Sequence, residues 1–218
     1  MKRTMKIVTI NFIGGRVGSS LTTGILEKSG MSAGNVSRSA DQFNPKGYFE
    51  VVEYLKYLRS LFPETSRFMP PVFTHEEALE YIESSAKDFP SRFHEWFGGT
   101  KELVVKCPYY HPSLLFERFI YDAKVIRIAL TRDVSNHVAS MKRMNTKFAS
   151  DDEWKRWVHS WDERASSEYS CELTIPFESW FDAPLLTYRE LYDVVKPPKE
   201  LTEKEINDWI NKEYRNFK

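Results

Sequence analysis

A glycine-rich loop near the N-terminus, Gly14–Ser20, joins a short apolar strand to a predicted helix. A turn of this kind directs several backbone N–H groups to one point at the positive end of the helix dipole, where phosphate or sulfate binds readily. The nucleotide loop GxxxxGK[ST] is not matched, because Ser19 stands at the position of its lysine and Arg16 lies within the loop. The loop therefore predicts an anionic ester as ligand and argues against ATP, with a tight turn that binds nothing as the alternative.

Two further motifs lie at the ends of predicted strands. Arg132 follows one strand, and Ser140 comes eight residues later, nearly two turns into a predicted helix, so that both side chains can share one anion. Lys106 ends another strand. The alternatives are a surface pair of Arg132 with Asp133 and a solvated lysine. Two separate anion sites would suit a nucleoside that carries phosphate at both ends.

Alternating strands and helices position these motifs. The predicted strands are Ile7–Phe12, Leu103–Lys106, Val125–Leu130 and Leu173–Phe177. The predicted helices run over Ser20–Ser29, from about Tyr48 to Phe62, through Leu79 to a stop near Pro90, from near Val134 through Phe148, through Trp154–Ala165, through Tyr188–Val195, and after a capping box at Thr202 and Glu205. This order predicts an α/β fold with three α/β/α layers around a parallel sheet of about 4–5 strands. Ligands bind such sheets at the carboxyl ends of the strands.

Length and composition restrict the class of protein. The 218 residues suit a single domain, 1–218. Lys+Arg and Asp+Glu number 31 each, so we expect no nucleic-acid partner. The two cysteines are too few for a disulfide framework or a metal cluster, and no window is long enough for a membrane span. We therefore expect a cytoplasmic protein without a metal site; the oligomeric state is left open.

The chain resembles the sulfotransferases that use 3′-phosphoadenosine 5′-phosphosulfate (PAPS), in particular the bacterial type. Gly15–Leu21 is similar to their 5′-phosphosulfate loop, P-[RK]-S-G-[TS]-[ST]-L, and Arg132–Ser140 to their 3′-phosphate motif, R-[DN]-P followed by a serine. Asn44–Glu50 is similar to the segment NPxGY[FW]E, and Phe177–Leu186 to the strand and helix that follow. The resemblance runs in order from Ile7 to about Val195 and implies a fold like that of the P-loop-containing nucleotide hydrolases.

The chain departs from the family pattern at three positions. Ile13 stands where a glycine is usual, Val17 where the loop has a serine, and Val134 where the 3′-phosphate motif has a proline. The C-terminal basic-glycine loop of the cytosolic animal enzymes has no counterpart.

The resemblance implies sulfuryl transfer from PAPS to a hydroxyl group, which leaves adenosine 3′,5′-bisphosphate and needs no metal ion. In this chain the donor-binding residues would be Gly15, Arg16, Val17, Gly18, Ser19, Ser20, Arg132 and Ser140. Arg16 would also steady the charge that builds on the bridging oxygen, and Lys106 would reach the transferring group or the acceptor.

The acceptor and the general base are less defined by the sequence. Glu50, Glu53 and His111 are candidate bases, with Glu50 ranked first; the alternatives are a dipole role for Glu50 at a helix start and an exposed loop position for His111. We expect the acceptor to be a small molecule, a saccharide or another hydroxyl compound, with a lipid and a peptide tyrosine also left open. The segment 62–97 is either a lid over the acceptor or an ordinary helical insertion.

Two other functions remain open from the sequence. One is a nucleotide-dependent kinase or NTPase with a degenerate loop, in which Asp133 would hold Mg²⁺. The other is a relative that binds the nucleotide but has lost activity, which the departures at Ile13 and Val17 favour.

Overall fold

The computed structural model describes residues 5–13, 16–36, 47–61, 74–108, 111–143, 150–167 and 170–210. Its strands are β1 (Met5–Phe12), β2 (Glu102–Pro108), β3 (Ala123–Thr131) and β4 (Leu173–Pro176). They form one parallel sheet in the order β2-β1-β3-β4. All four predicted strands are present, and β1, β2 and β3 each extend one to two residues beyond the predicted bounds at one or both ends.

Helices cover both faces of this sheet. Their bounds are α1 Ser19–Lys28, α2 Val52–Leu61, α3 His75–Ser85, α4 Phe89–Phe97, α5 His111–Phe119, α6 Val134–Arg143, α7 Asp151–Ser167, α8 Ser179–Asp182, α9 Pro184–Val195 and α10 Glu203–Trp209. Side chains alternate between the faces of a strand. Val8, Ile10 and Phe12 of β1 accordingly join the core under α1, α9 and α10, whereas Ile7 joins the core under α2 to α5 and α7. The predicted three-layer α/β fold is confirmed.

Two helix boundaries differ from the prediction for local reasons. The helix predicted from Tyr48 begins only at Val52, because Gly47 and Phe49 have φ of 94° and 51°, which a right-handed helix excludes. Pro90 does not close a helix; it lies in the first turn of α4, where proline is well tolerated because its missing N–H has no acceptor there. The capping box at Thr202 and Glu205 is confirmed.

The described part of the segment 62–97 packs into the core. Residues 62–73 and Phe148 lie outside the described residues. Of the helix predicted from near Val134, the structure describes Val134–Arg143. In α4, Phe93, Trp96 and Phe97 are all buried beneath α2 and α5. These aromatic rings therefore pack in the hydrophobic core. No helix among the residues that the structure describes is both long and apolar enough to cross a membrane.

The strand order determines where the loops meet. β1 lies between β2 and β3, and all three run in the same direction. Their carboxyl ends, at Phe12, Pro108 and Thr131, therefore lie along one edge of the sheet. In open α/β sheets of this order, the crevice between the loops after β1 and β3 is the usual ligand site.

Candidate functional site

The loop after β1 turns sharply into α1. Arg16 and Gly18 have φ of 61° and 82°, and Gly18 is the N-cap of α1. The first N–H groups of α1 have no acceptor within the helix and point back toward this loop. The two residues that depart from the family pattern, Ile13 and Val17, are each 1% exposed and belong to the core, so they anchor the loop by packing. The predicted site residue Gly15 lies outside the described residues, as does Gly14.

Arg16, Arg132 and Ser140 come together across this edge of the sheet. The Nε of Arg16 donates a hydrogen bond of 3.2 Å to the Oγ of Ser140, and a guanidinium nitrogen of Arg132 donates one of 2.6 Å to the backbone oxygen of Arg16. Ser140 is fully buried on α6, and Arg132 is 4% exposed. The surface pair of Arg132 with Asp133 is therefore wrong: Arg132 is a buried cation beside the loop.

The surroundings of Arg132 concentrate positive charge. The pKa of Arg132 is lowered to about 10, mainly because the side chain is buried. The Glu178 carboxylate raises this pKa, whereas the neighbouring cations Arg16 and Arg143 lower it. Glu178 Oε1 lies 3.7 Å from the Nε of Arg132, and the Phe177 ring stacks 4.5 Å from its guanidinium carbon. Arg132 is still charged at neutral pH. Because like charges repel one another here, an anion bound among them would be stabilised.

A second polar cluster surrounds Lys106. Its ammonium donates hydrogen bonds to the Glu50 carboxylate (2.9 Å), the Tyr48 carbonyl (2.9 Å) and the Ser20 hydroxyl (3.1 Å). The Lys106 and Glu50 side chains are 5% and 13% exposed. The Ser20 hydroxyl also lies 3.4 Å from the Tyr48 oxygen. Through Ser20, this cluster adjoins the loop that holds Arg16.

The register of β2 explains the direction of Lys106. It lies within β2, opposite Ile10, rather than at the strand's end as predicted. Val105 and Cys107 face the core under α2 and α5. Because successive side chains alternate, Lys106 points to the opposite face, where α1 and Ser20 lie.

The structure separates the candidate bases. Glu50 precedes α2 instead of opening it, so its proposed alternative role at the helix dipole does not apply; its carboxylate pairs with Lys106. His111 is the first residue of α5 and is 1% exposed, so the expected exposed loop position is wrong. Glu53 forms an exposed ion pair with Lys56.

Asp133, the residue to which the kinase alternative assigns Mg²⁺, caps the start of α6. Its Oδ1 accepts a hydrogen bond of 2.9 Å from the backbone N–H of Asn136. The residues that the structure describes contain no group of three or more His, Cys, Asp or Glu side chains able to hold a metal ion.

Sequence reasoning missed three parts of the site. Phe177 and Glu178 follow β4 directly, and the rule that ligand sites lie at carboxyl ends of strands would have found them. The Tyr48 carbonyl could not be predicted from the sequence, because every residue has a backbone oxygen and residue type does not show which one accepts a hydrogen bond from Lys106.

Gly18 offers a direct test of this loop. A Cβ at residue 18 would lie 2.7 Å from Phe177 Cδ2, and the left-handed φ disfavours any other residue. We expect Gly18→Ala to lower the free energy of unfolding by about 2 kcal/mol in urea denaturation. Gly99→Ala is the control, since nothing lies within 4 Å of its added Cβ.

The chain is similar to several solved structures at low identity. It matches the sulfotransferase domain from the curacin biosynthetic pathway with 14% identity and a TM-score of 0.47, covering 91% of this chain and 76% of that chain. It matches retinol dehydratase in complex with androsterone and the inactive cofactor PAP with 14% identity and a TM-score of 0.46, covering 100% and 71%. Shikimate kinase from Bacteroides thetaiotaomicron matches with 12% identity and a TM-score of 0.45, covering 88% and 98%.

No protein-family model matches the chain, and no curated protein matches it either. The solved structures include both sulfotransferases and a kinase. Likenesses of this size assign neither an activity nor a ligand to the chain. The function therefore has to be argued from the site itself.

Proposed function

We propose that this protein is a PAPS-dependent sulfotransferase, which moves a sulfuryl group to a hydroxyl of an acceptor by in-line displacement. The observation that carries the proposal is the pair of adjoining clusters at one edge of the sheet: Arg16, Arg132 and Ser140 in one, Lys106, Ser20 and Glu50 in the other. One cluster suits the binding of an anion, and the other suits charge stabilisation and proton transfer.

The first cluster fits the phosphates of the donor. Guanidinium groups bind phosphate through strong, charge-assisted hydrogen bonds, the Ser140 hydroxyl can donate another hydrogen bond, and the start of α1 adds backbone N–H groups. In our proposal Arg132 and Ser140 hold the 3′-phosphate, while Gly15, Val17, Gly18, Ser19 and Ser20 form the loop around the 5′-phosphosulfate. Ser140 would exchange its bond from Arg16 for one to the phosphate, which leaves Arg16 able to turn to the bridging oxygen.

The second cluster fits the transfer itself. When bound, PAPS supplies the sulfuryl group, whose bond to the 5′-phosphate oxygen breaks as the bond to the acceptor oxygen forms. Lys106 would stabilise the negative charge on the transferring group, and Glu50 would take the proton of the acceptor hydroxyl. The Nζ of Lys106 lies 2.9 Å from the Oε1 of Glu50, so the proposed base and the proposed charge-stabilising group lie side by side.

The proposal extends to the acceptor and the cellular setting. We propose a small molecule, a saccharide or another hydroxyl compound as acceptor, and no metal ion in the transfer. A cytoplasmic location and a single domain over 1–218 are parts of the same proposal. His111 stays a second candidate base, although its burial hinders contact with an acceptor.

Calorimetric titration of the protein with three nucleotides tests the donor. Adenosine 3′,5′-bisphosphate should bind tightly without metal, and AMP, which lacks the 3′-phosphate, should bind at least about 30-fold more weakly, as expected for the loss of a buried charge contact. ATP with Mg²⁺ is the third arm. A preference for ATP with Mg²⁺ over the bisphosphate would contradict the proposal and favour a kinase.

Arg16 should affect turnover more than binding. Its guanidinium would act on charge that develops only in the transition state, so Arg16→Ala should lower kcat for PAPS consumption by about 100-fold or more. The dissociation constant of the bisphosphate should rise much less, by roughly fivefold, because Arg132 and Ser140 remain. Equal losses in both quantities would contradict this role.

A further inference from the structure

Phe49 connects the Lys106 cluster to α10. It lies between Tyr48, whose carbonyl accepts a hydrogen bond from Lys106, and Glu50, whose carboxylate accepts another. Its φ of 51° is unusual for a bulky residue. Such a conformation persists only where the surroundings impose it, so the contacts of the Phe49 side chain matter for the site.

The side chain of Phe49 is held against α1 and α10. Its ring meets the Trp209 ring edge to face, with 6.3 Å between centroids. A Cβ on Gly24 of α1 would lie 2.2 Å from Trp209 Cζ2 and 3.0 Å from Phe49 Cζ, so only glycine admits both rings there. This explains a glycine inside a helix, where it is otherwise disfavoured. We name the contact among Trp209, Phe49 and Gly24 the Trp209 latch.

Trp209 itself is fixed from several directions. Its indole N–H donates a hydrogen bond of 3.2 Å to the Leu21 carbonyl, and the Lys28 ammonium lies 4.8 Å from the centre of its ring. Ile206, on the same helix, is fully buried. The ring is therefore a firm support for Phe49 rather than a chance neighbour.

We propose that Trp209 is a positioning residue for the Lys106–Glu50 pair. Through Phe49, it holds the backbone that presents the Tyr48 carbonyl and the Glu50 carboxylate to the Lys106 ammonium. The consequence for catalysis rests on the proposed function, whereas the consequence for Lys106 does not. A residue on the last described helix thus sets the geometry of a site at the edge of the sheet.

Competitive labelling with trace acetic anhydride, read by mass spectrometry, tests this without a substrate. In the wild type, Lys106 should be acetylated at least tenfold more slowly than the exposed lysines Lys142 and Lys196. In Trp209→Leu the rate at Lys106 should rise fivefold or more relative to those lysines. Trp209→Phe, which retains an aromatic ring, should restore a rate within twofold of the wild type.

Two control variants separate positioning from general stability. Lys28→Ala removes the cation beside Trp209 but leaves the rings in contact, so labelling of Lys106 should not change. Val195→Ala truncates a buried residue of α9, and at a matched loss of stability it should not raise labelling of Lys106. An equal rise in Val195→Ala, or no rise in Trp209→Leu, would overturn the proposal. If Trp209→Leu does not fold, Phe49→Ala is measured in its place against the same expectations.

A binding measurement distinguishes failure of this inference from failure of the proposed function. The Trp209 latch meets α1 at Leu21 and Gly24, next to Ser20 of the donor loop, so affinity for adenosine 3′,5′-bisphosphate should fall by no more than about threefold in Trp209→Leu, while kcat for PAPS falls at least tenfold. Absence of bisphosphate binding in the wild type would reject the sulfotransferase, and the labelling result would still decide the role of Trp209.

Discussion

Arg132→Ala should weaken binding of adenosine 3′,5′-bisphosphate by about 100-fold or more, measured by calorimetry at one salt concentration. Truncating one partner of a buried, hydrogen-bonded charge pair costs about 2–5 kcal/mol, and about 2.7 kcal/mol corresponds to 100-fold. Arg132 meets these conditions, because it is 4% exposed and its neighbours Arg16 and Arg143 add to the positive charge that a phosphate would relieve. Affinity for AMP should change little, because AMP has no 3′-phosphate.

Two matched variants make this result specific. Arg132→Lys keeps the charge but loses the planar fork, so it should recover only part of the affinity. Glu178→Gln removes the carboxylate 3.7 Å from Arg132 and should strengthen bisphosphate binding several-fold, since Glu178 competes with the phosphate for the same cation. If Arg132→Ala binds AMP and the bisphosphate with equally reduced affinity, Arg132 supports the loop and does not read the 3′-phosphate.

Lys106→Met should abolish nearly all turnover of PAPS, with kcat lowered by about 10²–10³-fold, as for the loss of a preorganised charge-stabilising donor. Methionine keeps the length and apolar volume of the side chain. Bisphosphate affinity should be retained within about threefold, because the product lacks the sulfuryl group that Lys106 would contact. Initial rates of PAPS consumption and the calorimetric titration measure the two effects separately.

The same variant should also destabilise the fold. Glu50 would lose the ammonium 2.9 Å away while remaining largely buried, which costs about 3 kcal/mol in comparable pairs. The double variant Lys106→Met/Glu50→Gln should recover most of this free energy of unfolding but none of the turnover. A double variant as unstable as the single one would show that the ion pair does not account for the loss.

Much of this molecule was predictable because its signals are local. The alternation of apolar strands and helices predicted the three layers, and the capping box at Thr202 predicted the start of α10. Arg132 and Lys106 were singled out because they were expected to follow or end a strand, and Arg16 because it lies in the loop after one. Ser140 was singled out by its spacing from Arg132. Parallel strands bring the ends of strands to one edge. The boundary at Tyr48 was wrong, because no residue type in that segment other than Gly47 signals a positive φ.

The sequence by itself determined which segments form strands and helices, and which types of residue lie near the ends of the strands. Residue identity and spacing along the chain are local properties, so both could be predicted without the tertiary structure. Only the tertiary structure decided which groups pair: that Arg16 bonds Ser140, that Arg132 faces Glu178, and that Lys106 meets Glu50. It alone brought Trp209 against Phe49, which precedes it by 160 residues. Such contacts depend on how helices pack on a twisted sheet, and that packing is a property of the whole chain rather than of any segment.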